Sequence, residues 1–155
     1  MSDFLYSVER EYDVPVEILW AAWTDVDALQ AWYHPLELGS LPGSAISEPV
    51  VGGAWAVSVD VPDYDYVAYF YGRYTEVIPC GRLEHTMAYT QDAQEFAVRD
   101  ESAPHHRVVI EFEHRDFRSW VKFSQFGELP EGQAVQAQAG MESYFDSLEA
   151  YLTTT

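Results

Sequence analysis

YVAYFYGRYTEVIPCGRLEHTMAYT, residues 66–90, is the stretch on which the fold turns. Two runs rich in aromatic and β-branched residues, 66–78 and 82–90, flank Ile78-Pro79-Cys80-Gly81, so the segment reads as an antiparallel hairpin with a tight turn. In the second run Leu83, His85, Met87 and Tyr89 alternate with Glu84, Thr86, Ala88 and Thr90. Counting pairs outward from the turn puts Val77, Thr75, Arg73 and Tyr71 on the face of Leu83, His85 and Met87. On that count Arg73 and His85 project side by side. The alternatives are that Arg73 pairs with an acid such as Glu84, or that a slip of one residue sends it to the outer face.

The same period of two extends in both directions. AWAVSVDV (54–61) puts Trp55, Val57, Val59 and Val61 on one face, and FLYSVEREY (4–12) alternates as a strand. RVVIEFEH (107–114) and SWVKFSQF (119–126) add two more, with Val108, Ile110, Phe112, Val121 and Phe123 inward and Lys122 outward. Residues 36–53 carry six Gly and Pro and read as a connection, with one short strand at 45–51. Residues 91–105 are polar and read as a loop, the segment expected to be most mobile.

Helical spacing occupies the remainder. VEILWAAWTD (16–25) follows Pro15 with Val16, Leu19, Trp20 and Trp23 on one face; DALQAWYH (27–34), capped by Asp25 or Asp27, ends before Pro35. From about Gln133 to Leu152, Met141, Tyr144, Phe145, Leu148 and Leu152 form an apolar stripe opposite Glu142, Asp146 and Glu149. One strand, two short helices, an antiparallel run and a long helix define an α+β domain over residues 1–155. The sheet must bury one face, and the last helix is available to cover it. Space left between them is the expected binding site.

Composition narrows the partners. The 155 residues hold 26 Asp and Glu against 8 Lys and Arg, a formal charge of −18, with 48% hydrophobic and 15% aromatic residues. Such a chain folds, and it repels nucleic acid and anionic membrane. Lys122 is the sole lysine; the acid excess fits either a salt-adapted proteome or an ordinary well-dissolved cytoplasmic protein. Cys80 is alone, so no internal disulfide is expected. Neither a signal peptide nor a membrane-spanning apolar run is read.

Four motifs in order carry a family resemblance. VPVEILWAAWTDVDALQAWYHP (14–35), VGGAWAVSV (51–59), YGRYTEVIPCGRLEHTMAY (71–89) and GMESYFDSLEAYL (140–152) resemble the motifs of the activator-of-heat-shock-protein-90-ATPase-homologue-like family. That family belongs to the START-like, polyketide-cyclase-like (SRPBCC) superfamily. The resemblance implies a helix-grip fold: a curved antiparallel sheet wrapped around a long C-terminal helix, enclosing a cavity, with Trp32 and Tyr33 closing one end. Departures accompany it. Met141 stands where the family usually has Trp, and His85 and Met87 stand where it has an aromatic residue and Trp. HRDFRSW (114–120) replaces a Gly-Gly-Thr turn. Flexible thioethers in place of rings suggest a reshaped, roomier cavity.

The expected function is binding of a small apolar or aromatic ligand, one that could carry an acidic group. Arg73 and His85 would orient its polar end; Trp32, Tyr33, Trp55, Tyr71, Met87, Met141 and Phe145 would form the walls. Two alternatives come from other classes: a co-chaperone-like interaction module stimulating a heat-shock protein 90 ATPase, and a cyclase- or hydrolase-like enzyme with His85 as base. A homodimer is left open. No Cys or carboxylate accompanies His105, His106 and His114 at metal-ligand spacing, and no phosphate loop or nucleophile elbow is present, so no metal or cofactor is expected.

Overall fold

The computed structural model describes residues 3–100 and 105–154. Seven antiparallel strands form one sheet: β1 (Phe4–Tyr12), β2 (Ile46–Ser47), β3 (Ala54–Val61), β4 (Tyr66–Ile78), β5 (Arg82–Thr90), β6 (His106–Arg115) and β7 (Arg118–Phe126). Their order is β1-β7-β6-β5-β4-β3-β2. From β2 to β7 each strand pairs with the next, tight turns joining β4 to β5 and β6 to β7 and a longer segment joining β5 to β6, and β1 closes onto β7 from the other end of the chain. Among the described residues four α-helices accompany the sheet, α1 (Val16–Thr24), α2 (Val26–Trp32), α3 (Ala93–Val98) and α4 (Gln133–Thr154), with one 3-10 turn at Pro62–Tyr64. Among the described residues no helix is long and apolar enough to cross a membrane.

Local chemistry sets the boundaries. Pro15 holds an extended φ of −62° as the N-cap of α1, and Asp25, rather than Asp27, caps α2 by accepting from Asp27 N at 3.0 Å. The second strand shrinks from the expected 45–51 to two residues, because Pro49, Gly52 and Gly53 turn the chain away. The segment expected as a loop at 91–105 holds α3. Asp92 Oδ1 caps it through Gln94 N and Glu95 N, and Phe96 stacks on Tyr69 with centroids 4.6 Å apart. Residues 101–104 of that segment lie outside the described residues.

The concave face of the sheet, α1, α2 and α4 enclose the main core. Leu19, Trp32, Val108, Val121, Phe123, Phe145 and Leu148 are each fully buried. Such side chains contribute about 2 kcal/mol apiece. Arg10 lies on this face too. It ties β1 to α4 through Asp146 at 2.8 Å and Glu142 at 3.0 Å, with its guanidinium 5.7 Å from the Phe145 ring centroid.

One irregularity decides which side chains share a face. Val77 pairs with Leu83 and Glu76 with Glu84, but His85 pairs with Tyr74. Thr75 is therefore an extra residue, a β-bulge, and alternation inverts beyond it. Tyr74 points inward, buried against His85. Arg73 and Tyr71 turn to the convex side, correcting the expectation that they share a face with His85.

Candidate functional site

Between the first half of α4 and the sheet lies a cavity of about 880 Å³. Its cause is local. The run Gln133–Gly140 lines it with Gln133 at the rim and, further in, with only the small residues Ala137 and Gly140, and a Cβ built on Gly140 would meet nothing within 4 Å. The large residues Phe145, Leu148 and Leu152 come later, where α4 packs tightly. A helix with small residues in one half and large ones in the other leaves a void at the small end.

The cavity runs from an exposed rim of Asp3, Tyr89, His105, Glu128 and Gln133 to a buried end of Tyr6, Tyr33, Gln125 and Met141. Phe70, Met87, His106 and Tyr144 line the sides. Tyr33 is 3% exposed, and its hydroxyl finds no hydrogen-bond partner among the described residues. Burial pushes its pKa well above the usual phenol range, with Tyr144, Tyr6 and Tyr74 adding to the shift. Tyr6 and Tyr144 are raised likewise, chiefly by burial, so all three remain neutral donors and acceptors.

A hydrogen-bonded chain runs from the buried end to the rim. Tyr6 OH donates to Gln125 Oε1 at 2.6 Å, Gln125 Nε2 lies 2.6 Å from His106 Nδ1, and His106 Nε2 lies 3.1 Å from the Glu128 carbonyl oxygen. Gly127 makes the seat for His106: a Cβ there would fall 2.3 Å from the imidazole Cδ2.

Of the nine residues expected from sequence, three line this cavity: Tyr33, Met87 and Met141. The other six sit elsewhere. Trp32 is fully buried, donating from Nε1 to Ala22 O at 2.6 Å and crossing Trp23 edge-on. Phe145 is buried beneath Arg10. Trp55 and His85 stack on each other in the core, both at most 2% exposed. Burial pushes the His85 pKa down to about 4, against a hydrogen bond to the Thr86 carbonyl and the nearby Glu84 charge, which both raise it. Tyr71 packs with Ala56 and Ala88 on the convex side. Arg73 donates to Gly52 O at 2.8 Å and borders a separate convex-side hollow of about 210 Å³ with Thr86, Arg99 and His105.

Arg73 is thus no anchor for an acidic ligand in the main cavity. Among the described residues the wall contains neither lysine nor arginine, whereas Asp3 and Glu128 stand at its rim. The expected alternative pairing of Glu84 is taken up by Arg107 at 2.9 Å and Arg82 at 3.5 Å, with Thr75 Oγ1 donating at 2.8 Å; together these hold its carboxyl below the usual range despite partial burial. Among the described residues no group of three or more His, Cys, Asp or Glu is placed to hold a metal ion.

The lining residues not expected from sequence include Tyr6, Phe70, Tyr89, His106, Gln125, Gln133, Ala137, Gly140 and Tyr144. A signal was present in QAVQAQAG (133–140), where a core-facing helix carries nothing large on the face continuing the stripe of its second half.

A curved antiparallel sheet gripping a long C-terminal helix over such a cavity defines a helix-grip, START-like domain. Solved structures share it. The AHSA1 protein of Silicibacter pomeroyi matches with a TM-score of 0.79 at 19% identity, over 96% of this chain and 97% of that one. A protein of Chromobacterium violaceum matches at 0.77 and 19%, over 94% of each chain. DynU16, a protein of the dynemicin biosynthetic locus, matches at 0.70 and 18%, over 99% of this chain and 48% of that one. At these identities the likeness is one of fold. No curated protein matches the chain. The family described as activator of Hsp90 ATPase homolog 1-like protein matches residues 13–153, and the chain belongs to that family.

Proposed function

We propose that this protein binds one small, apolar, uncharged ligand in the cavity between α4 and the sheet. The observation that carries the reading is the cavity itself: about 880 Å³, within the range of small-molecule sites and walled largely by aromatic and thioether side chains. Phe70, Tyr144 and Met141 offer ring faces and an adaptable sulfur to a flat or acyl body. The lone Tyr33 hydroxyl supplies one buried hydrogen bond that the protein does not satisfy internally. Domains of this fold commonly enclose hydrophobic ligands, which supports the same reading. His85 is sealed between Trp55 and Tyr74, so an enzymatic role for it as base gains no support.

Native mass spectrometry of protein purified from its source tests the proposal. A retained apolar species at one copy per chain is the expected result. Consistently ligand-free protein that also fails to take up any apolar probe contradicts it.

A further inference from the structure

The direction of the Tyr6–Gln125–His106 chain is fixed from one end. The Glu128 carbonyl can only accept, so His106 Nε2 carries a hydrogen. A neutral imidazole then has a bare Nδ1, which must accept from Gln125 Nε2. That orients the amide, placing Oε1 toward Tyr6, whose hydroxyl hydrogen is committed to it. Within this chain of bonds two hydrogen-bonding capacities are left over: the second N–H of Gln125 and the lone pairs of the Tyr6 oxygen.

An adjacent donor and acceptor match a group that both accepts and donates. An alcohol does both. A ketone or ether uses only the N–H, and a carboxylate presents acceptors to the Tyr6 oxygen. The surrounding charges disfavour an anion further. Asp3 precedes β1 and Glu128 follows β7, while Arg107, beside His106 in sequence, points to the convex face, where it covers Phe126 at 4.3 Å and pairs with Glu84. The remaining titratable neighbours are His105 on the rim and Tyr33, Tyr89 and Tyr144 on the wall.

Building on the ligand-binding reading above, we propose that Tyr6 and Gln125, aligned by His106, form a subsite that selects apolar alcohols over the corresponding acids and alkanes. His106 is the positioning residue: it touches Gln125 and sets the amide, and Gly127 leaves room for its ring.

Three matched fluorescent probes test this at pH 7.5: 1-pyrenebutanol, 1-pyrenebutyric acid and 1-butylpyrene. Wild-type protein is expected to bind the alcohol about tenfold more tightly than the alkane, as one to two buried hydrogen bonds would give, and the acid most weakly. In the Tyr6→Phe, Gln125→Leu double variant, which removes both partners together, the alcohol preference should vanish while butylpyrene binding persists. Equal wild-type affinities for alcohol and alkane, or a preference for the acid, overturn the subsite and leave the cavity reading intact. The wild-type comparison decides even where the variant does not fold. If none of the three probes binds wild type, the cavity reading fails and the subsite with it.

Discussion

The imidazole of His85 lies nearly flat on the indole of Trp55, ring centroids 3.9 Å apart and planes 28° from parallel. Tyr74 meets the same imidazole edge-on at 6.0 Å, so the histidine, on β5, packs against side chains of β4 and β3. It occupies the concave face without reaching the cavity.

That burial predicts an acid-sensitive fold. The His85 pKa is about 4 in the folded chain, whereas an unfolded histidine titrates near 6.5. Between these values the unfolded state binds the proton and the folded state does not. Stability is therefore present above about pH 6.5 and lost as pH falls toward 4, by an amount on the order of 3 kcal/mol. Urea denaturation across this window should show a slope that His85→Phe reduces by one proton's worth.

Arg73 should be dispensable for ligand binding. Its guanidinium reaches Gly52 O on the convex side of the sheet. Arg73→Met is expected to leave probe affinity within twofold and to change stability by about 0.5 kcal/mol or less, measured by fluorescence titration and urea denaturation.

Arg10 joins α4 to the sheet edge through two carboxylates and the Phe145 ring. Arg10→Ala should cost about 1 kcal/mol, since the side chain is partly exposed and screened by solvent. The Glu142→Gln, Asp146→Asn double variant should reproduce most of that loss, and combining all three should add little. Equilibrium denaturation of the four proteins closes this cycle.

Gly127 should control His106. A Cβ there collides with the imidazole, so Gly127→Ala is expected to displace the ring from Gln125. The alcohol preference should fall about tenfold with alkane affinity retained, as read by the same titrations.

Much of the fold was legible in residue periodicity. The bounds of β1, β3, β4 and β5 coincide with the alternating runs at 4–12, 54–61, 66–78 and 82–90, and α4 extends only two residues past the expected Leu152. The bulge at Thr75 was not legible, because nothing about threonine between Tyr74 and Glu76 marks an extra residue, yet it inverts every side chain from Tyr74 back along β4. Helix α3 was hidden for another reason: its six residues offer one aromatic, Phe96, packed on Tyr69 and Tyr71, too little apolar signal for a helical period. Of the residues expected as walls, Tyr33, Met87 and Met141 line the cavity, whereas Trp32, Trp55 and Phe145 pack in the core. A void is a property of what fails to fill space, and large aromatic residues more often fill it. Gln125 looked like an ordinary polar residue in β7; its role depends on contacts with Tyr6 and His106, 119 and 19 residues away.

Filling the void tests the central claim most directly. Gly140 lies within the continuous helix α4 at a point with open space beside it. Replacing glycine by leucine should stabilise the helix by about 1 kcal/mol while placing a side chain into the cavity. The decisive measurement is a fluorescence titration of wild type and Gly140→Leu with 1-butylpyrene, alongside thermal unfolding. The account predicts one-to-one binding by wild type, and at least tenfold weaker binding by a variant that melts no lower. Undiminished binding by the folded variant would place the probe elsewhere and contradict the assignment of the cavity as the ligand site.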